Sequence, residues 1–213
     1  MPTSPVADVT RPGTRERRRD RTRRDLAQAA VRLFEEHGFD GTTVEDIADA
    51  ADVSVSTFFR LFPRKEDVIF YDLPERLEAV RADFASADHP TAWETVRNAF
   101  VNNARTWDDE EQAFGLARAR LFHRERALHS RYLEICAEWE DVVAGIVATE
   151  RGSDPQADLY ARLVAASTVS AFRAAFIARV NGGGQEIAAL LAQAFDMLEQ
   201  GLPTTTTKGK RKR

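Results

Sequence analysis

Eight arginines fall between Arg11 and Arg24 against only Glu16 and Asp20, a local charge of +6, and the last six residues, KGKRKR, carry +5. Side chains of this kind at this density bind anions or coat a solvated helix face. The remainder is acidic: residues 25–207 hold 17 basic against 31 acidic groups, a net −14, and with Asp8 the chain sums to −4. The total therefore points to no partner, whereas its distribution places two cationic ends on an acidic body.

Catalytic chemistry has no comparable foothold. A di-iron carboxylate bundle needs Glu-x-x-His pairs on neighbouring helices, and no Glu has His three residues on. His37, His89, His123 and His129 form no H-E-x-x-H motif, and the chain has no Gly-rich phosphate loop and no G-x-S-x-G elbow. Cys136 is the only cysteine, which excludes an intrachain disulfide and a cysteine-rich metal site and suits a reducing compartment. The expectation is a non-enzyme with no metal or cofactor. The first 25 residues lack an apolar h-region and no stretch reaches 18 uninterrupted apolar residues, so a cytoplasmic protein without a membrane partner is expected.

The elements that position these groups read as helices. At 43% hydrophobic residues the chain can build a sizeable core. Long Gly- and Pro-free stretches carry apolar residues at three- and four-residue spacing, as in Trp93, Val96, Phe100 and Trp107. The spacing predicts an all-α protein of nine helices at roughly 21–37, 44–50, 54–61, 65–86, 91–106, 109–124, 127–151, 155–181 and 185–200. Thr43 and Ser54 suit N-caps and Pro155 a first helical position, while Gly38 and Gly182 to Gly184 suit C-terminal stops. Residues 1–20 read as a basic arm and 203–213 as a basic tail, largely without ordered structure.

Residues 23–70, RRDLAQAAVRLFEEHGFDGTTVEDIADAADVSVSTFFRLFPRKEDVIF, are the most informative. Leu26, Ala29, Ala30, Leu33 and Phe34 form one apolar helix face; Val44, Ile47, Ala48 and Ala51 form a second, and a tight turn at Ala51-Asp52-Val53 leads into a third segment. Helix, short turn, helix can present one helix to the DNA major groove. Local propensity leaves that third segment open, because V-S-V-S-T-F-F alternates like a strand. The spacing of A-A-x-x-L-F-x-x-x-G-F from Ala29, T-T-V-x-x-I-A-x-x-A from Thr42, V-S-x-x-T-F from Val53 and F-P-x-K-E-D from Phe62 closely resembles the DNA-binding domain of the TetR family of bacterial regulators.

The resemblance implies a three-helix DNA-binding domain at 21–67 and a ligand-binding and dimerisation domain at 68–202. It places Val55, Ser56 and Arg60 on the exposed face of a recognition helix, where arginine can bond guanine or phosphate. It places Thr43, Thr57 and Lys65 at phosphates, with a cap as the alternative role for Thr43. Phe59 departs from the family's usual Tyr and can only pack or lie against a sugar, and Asp52 replaces the usual turn Gly. Arg23 and Arg24, at the end of the arginine-rich arm, would lie along phosphates or the minor groove.

Residues 127–202 resemble, more loosely, regulators that bind acyl-CoA-like ligands, through RYLEICAEWEDVVAGI and the long apolar helix after it. The implied partners are an operator duplex, a second copy of the chain and a small apolar or acyl-CoA-like effector. Candidate ligand residues are Trp107, Phe114, Leu121, Phe122, Trp139, Phe172 and Phe176, with Arg118, Arg120 or Arg173 for an acidic group. Taken singly, each aromatic suits an ordinary core better than a ligand wall. The function expected is a homodimeric repressor released from DNA by its ligand; an activator of the same fold would read the same, and a helical ligand carrier or enzyme would leave the N-terminal match unexplained.

Overall fold

The computed structural model describes residues 14–86, 91–182 and 184–201. Among them are nine α-helices and no strand: α1 (Thr14–His37), α2 (Val44–Ala50), α3 (Val55–Leu61), a 3-10 segment (Lys65–Phe70), α4 (Leu73–Ser86), α5 (Ala92–Arg105), α6 (Asp109–Arg124), α7 (Arg126–Arg151), α8 (Leu159–Gly182) and α9 (Ile187–Gln200). The chain divides after Tyr71 into two compact units.

The first unit closes over Leu26, Ala30, Phe34, Ile47, Phe58, Val68 and Ile69, all fully buried. Gly38 ends α1 in the left-handed region at φ 78°. Three residues on, a Cβ on Gly41 would lie 2.4 Å from the His37 carbonyl oxygen, so only glycine fits that turn. Thr43 and Asp46 then form a reciprocal capping box on α2. Asp52 sits at φ 53° in the α2–α3 turn, a conformation an Asp side chain tolerates better than most. Ser54 caps α3 by accepting the Thr57 amide. That cap, together with Phe58 and Phe62 four residues apart and both buried, overrides the strand-like alternation: burial follows the helical period.

Four sequence expectations shift. Helix α1 starts at Thr14, so residues 14–20 of the expected arm are helical; residues 1–13 and the tail 203–213 lie outside the described residues. The expected helix 65–86 is a 3-10 segment followed by α4. Val68, Ile69 and Phe70 are consecutive and all buried, which one face of an α-helix cannot achieve. The division therefore falls after Tyr71, not at 67/68. Helix α8 begins at Leu159, not near 155, because the Asp158 carboxylate accepts the amides of Tyr160 and Ala161, leaving Pro155 in the preceding turn.

In the second unit α8 packs between α7 and α9. Small buried residues, Ala161, Ala165, Ala171 and Ala175, let its neighbours approach. Gly115 of α6 meets α8 so closely that a Cβ would lie 3.0 Å from the Phe176 ring. By length and composition α8 could also cross a membrane, with 33% of its most apolar window buried; an apolar core helix meets the same test.

Candidate nucleic-acid interface and effector region

Helix α3 turns two faces in opposite directions. Phe58 is fully buried and its ring lies 5.6 Å from Phe62, while Ser56, Phe59 and Arg60 are exposed and Val55 and Thr57 half-buried. Phe59 is 52% exposed, held edge-on against Phe58 at 5.5 Å. A large aromatic left in water beside a serine hydroxyl and a guanidinium makes a surface with apolar, hydrogen-bonding and cationic parts, the combination that reads base edges and sugars. Thr57 bonds the Ser54 hydroxyl at 3.0 Å.

The other predicted contacts are already engaged within the unit. The Thr43 hydroxyl donates to Asp46 at 2.7 Å and accepts the Asp46 amide at 3.1 Å. With the backbone amide of Thr43, this bonding holds the Asp46 carboxyl below its ordinary range. Thr43 acts as a cap, and a phosphate bond would require its single hydroxyl hydrogen to leave Asp46. Lys65 donates to the carbonyls of Phe39 at 2.7 Å and Thr42 at 2.8 Å. Arg23 donates to the Tyr71 carbonyl and lies 6.0 Å from the Phe62 ring centre. Arg24 is exposed. The inward roles of Arg23 and Lys65 escape sequence reading because their acceptors are backbone carbonyls, which every residue carries.

In the second unit Trp107, Trp139, Phe172 and Phe176 join Phe100 in one aromatic cluster. Trp107 lies 6.0 Å from Phe172 and 5.9 Å from Phe176. Phe122 stacks instead on Tyr132 at 4.5 Å, and Leu121 is buried. Arg118, 6% exposed, lies over Phe114 and pairs with Asp72 at 2.6 Å, whereas Arg173 is exposed. Arg76 pairs with the other Asp72 oxygen at 2.6 Å and lies over the Trp107 ring at 4.1 Å. Burial pushes the Asp72 carboxyl up, but the guanidiniums of Arg118 and Arg76 outweigh it and hold it below its ordinary value. Asp72 and Arg76 were not singled out from the sequence; their four-residue spacing across the start of α4 was the available signal.

Comparison with known proteins follows the same division. Residues 26–71 match the family model for bacterial regulatory proteins of the tetR family, and residues 90–203 match the MftR C-terminal domain. The chain is 34% identical over 161 residues to the HTH-type transcriptional regulator TcmR of Streptomyces glaucescens, covering 73% of this chain and 71% of that protein. It is 25% identical over 186 residues to the putative mycofactocin biosynthesis transcriptional regulator MftR of Mycobacterium tuberculosis, covering 87% and 93%. The chain belongs to the TetR family of bacterial transcriptional regulators. Its fold is shared by FadR of Thermus thermophilus, a TetR-family repressor solved in complex with lauroyl-CoA (TM-score 0.55, 24% identity, 87% of this chain and 97% of that one). FadR of Bacillus halodurans shares it too (TM-score 0.60, 22% identity, 84% and 99%).

As a TetR-family regulator the chain is DNA-binding and, by family, ligand-responsive; its relatives are regulators, not enzymes. One surface cleft of about 770 Å³ lies between α4 and α7, with Phe84, Ala85, Val142, Gly145 and Ile146 among its lining. None of the residues predicted to hold a ligand lines it.

Proposed function

We propose that this regulator is a homodimeric repressor that inserts α3 into the major groove of a two-fold operator and is released by an apolar, acyl-CoA-like effector. The observation that carries the DNA contact is the division of α3: Phe58 locks it into the core while Ser56, Phe59 and Arg60 stay exposed on the opposite side. On this reading the unit that ends at Tyr71 forms the DNA-reading part and the unit from Asp72 the sensing and dimerising part, and Arg60 reads a base.

Dimerisation is supported by apolar surface that the single chain leaves in water. Leu159 and Leu163 on α8 are 80% and 61% exposed, and Met197 on α9 is exposed too. Such a row on two adjacent long helices suits a four-helix bundle across a two-fold axis. The same burial accounts for the apolar character of α8 without a membrane and fits a cytoplasmic protein.

For the effector, the support is the aromatic cluster and the lauroyl-CoA bound by a protein of the same fold. Phe172 and Trp139, both half-buried, would open to admit an acyl chain, with the exposed Arg173 for the acidic end; Arg118 stays with Asp72. Repacking around Trp107 would act on Arg76, which covers its ring, and through Arg76 on Asp72, the residue that immediately precedes α4. The effector thereby favours a state that no longer fits the operator, a population shift set by its differential affinity for the two states. Titrating lauroyl-CoA into the operator complex tests the reading. Release at micromolar ligand supports it; release by unrelated aromatic drugs but not by acyl chains overturns the ligand assignment.

A further inference from the structure

One stripe of α8 faces the core of the second unit. From Ala161 it runs through Ala165, Thr168, Phe172 and Ala175 at alternating steps of four and three residues, and the next step of four reaches Arg179. Ala161, Ala165, Thr168 and Ala175 are buried and Phe172 is half-buried, so at half-buried Arg179 a guanidinium continues a stripe otherwise made of alanine, threonine and phenylalanine. Its Nε is buried and has no hydrogen-bond partner among the described residues. Trp93 Nε1 and Arg97 Nε are buried in the same way, but Arg97 pairs with Asp196. No carboxylate pairs with Arg179 among the described residues. A basic residue in the last turn of a helix ordinarily donates to the carbonyls left free there; the Arg179 Nε donates to none.

We infer that Arg179 anchors an acceptor oxygen at the head of an apolar effector chain, a free carboxylate or the carbonyl of a thioester. The inference rests on the effector reading of the aromatic cluster and adds the residue that fixes the ligand's polar end. A guanidinium cannot shed its proton to escape burial, so its charge and its Nε–H call for an oxygen that the chain does not supply. A buried donor left without an acceptor is costly, and native interiors hold few. A carboxylate meets the edge of a guanidinium through two parallel bonds, the strongest pairing open to it. The apolar part of the ligand is fixed by position. Phe176, three residues before Arg179, lies 4.9 Å from Phe172 and 5.9 Å from Trp107. Long side chains on a helix lean over the preceding turn, so Arg179 leans toward this cluster rather than off the end of α8. Arg173 stands about 120° round the helix from Arg179 and is exposed, placed for charge that the ligand keeps in water, such as the phosphates of a thioester carrier.

The test measures binding of laurate and of lauroyl-CoA to the full-length protein by calorimetry, for wild type, Arg179→Gln and Arg179→Lys. Arg179→Gln is expected to weaken whichever ligand presents the oxygen by about tenfold to a hundredfold, the loss of bonds from a charged donor. Arg179→Lys, which keeps the charge without the planar fork, should lose less. A loss confined to laurate identifies a free carboxylate; a loss with lauroyl-CoA identifies a thioester carbonyl. Equal affinities of wild type and Arg179→Gln for both ligands overturn the anchor and leave the effector reading intact. Failure of the wild type to bind either ligand overturns the effector reading, and the anchor with it. A second measurement needs no ligand. Arg179→Met keeps an apolar stem and removes the unsatisfied donor, so the ligand-free melting midpoint is expected to stay the same or rise. A lower midpoint would show that Arg179 already has a partner within the fold, and would overturn the assignment.

Discussion

Lys65 bonds the carbonyl of Phe39 at 2.7 Å while its ammonium stands 3.9 Å from the centre of the same residue's ring. A second bond, to the Thr42 carbonyl at 2.8 Å, completes a clasp over the loop that carries Gly41 and leads into the α2 cap. A compact ammonium with three donors suits this geometry; a planar guanidinium does not.

Lys65→Ala is therefore expected to lower the stability of the DNA-binding unit by about 2 kcal/mol, the range for bonds from a charged donor. Denaturant titration measures it. Operator affinity should fall for all sequences alike, because the loosened loop disturbs the seating of α2 and α3. A variant as stable as the wild type would show that the clasp contributes nothing.

Arg60→Ala is expected to leave stability unchanged, since the side chain is exposed. Preference at one base position of each half-site should relax by about 1–3 kcal/mol. Competition between operator variants reads it directly. A uniform loss across all sequences would reassign Arg60 to phosphate.

Asp52 occupies the left-handed region at φ 53° in the turn before α3. Asp52→Gly removes both the conformational cost, about 1 kcal/mol, and a negative charge beside the DNA-reading helix. Higher melting temperature and severalfold tighter DNA binding at low salt are expected, the affinity gain shrinking as salt screens it. Tighter binding that persists at high salt would mean the charge is not the cause.

Asp72 is shared by two guanidiniums that are themselves nearly buried. Asp72→Asn removes the carboxylate that Arg118 and Arg76 share, leaving Arg76 with Glu111 at 3.6 Å, and is expected to cost about 3 kcal/mol or more in the second unit. The pH dependence has a fixed sign. The carboxyl's folded value lies below its unfolded one, so its contribution is complete above the unfolded value of about 3.9 and is lost as pH falls further, through the folded value. Wild-type stability should therefore fall below about pH 4, and the Asn variant should lack that component.

The two units were legible in the sequence to different degrees. Helical periodicity locates all nine helices because apolar spacing and caps agree at most ends, as at Thr43, Ser54 and Gly38. It fails at Val68-Ile69-Phe70, where three adjacent residues are buried from different sides, and at Thr14, where a polar helix has no apolar period to reveal it. Ser56 and Arg60 could be placed because an exposed helix face is a local property, whereas Val55, expected on the same face, is half-buried and Phe59, expected to pack or lie against a sugar, is exposed. The inward turn of Arg23 and Lys65 and the convergence of Arg76 and Arg118 on Asp72 depend on tertiary placement, which leaves no local pattern. The aromatic residues were identified as a set, yet only the fold separates Trp107, Trp139, Phe172 and Phe176 from Phe114 and Phe122.

Leu163→Glu is expected to shift the protein to a monomer without loss of helicity, because the residue is exposed in the single chain. Sedimentation across a concentration series measures it. A variant that remains dimeric would place the two-fold contact elsewhere.

The central claim is that α3 reads an operator as one of a two-fold pair. Selection of bound duplexes from a random library tests it most directly, run in parallel with wild type and Arg60→Ala. The expected result is enrichment by the wild type of a palindrome whose half-sites stand one DNA turn apart or a multiple of it, with one position per half-site relaxed in the variant. Enrichment of no common sequence, or of the same sequence with equal stringency by both proteins, would contradict it.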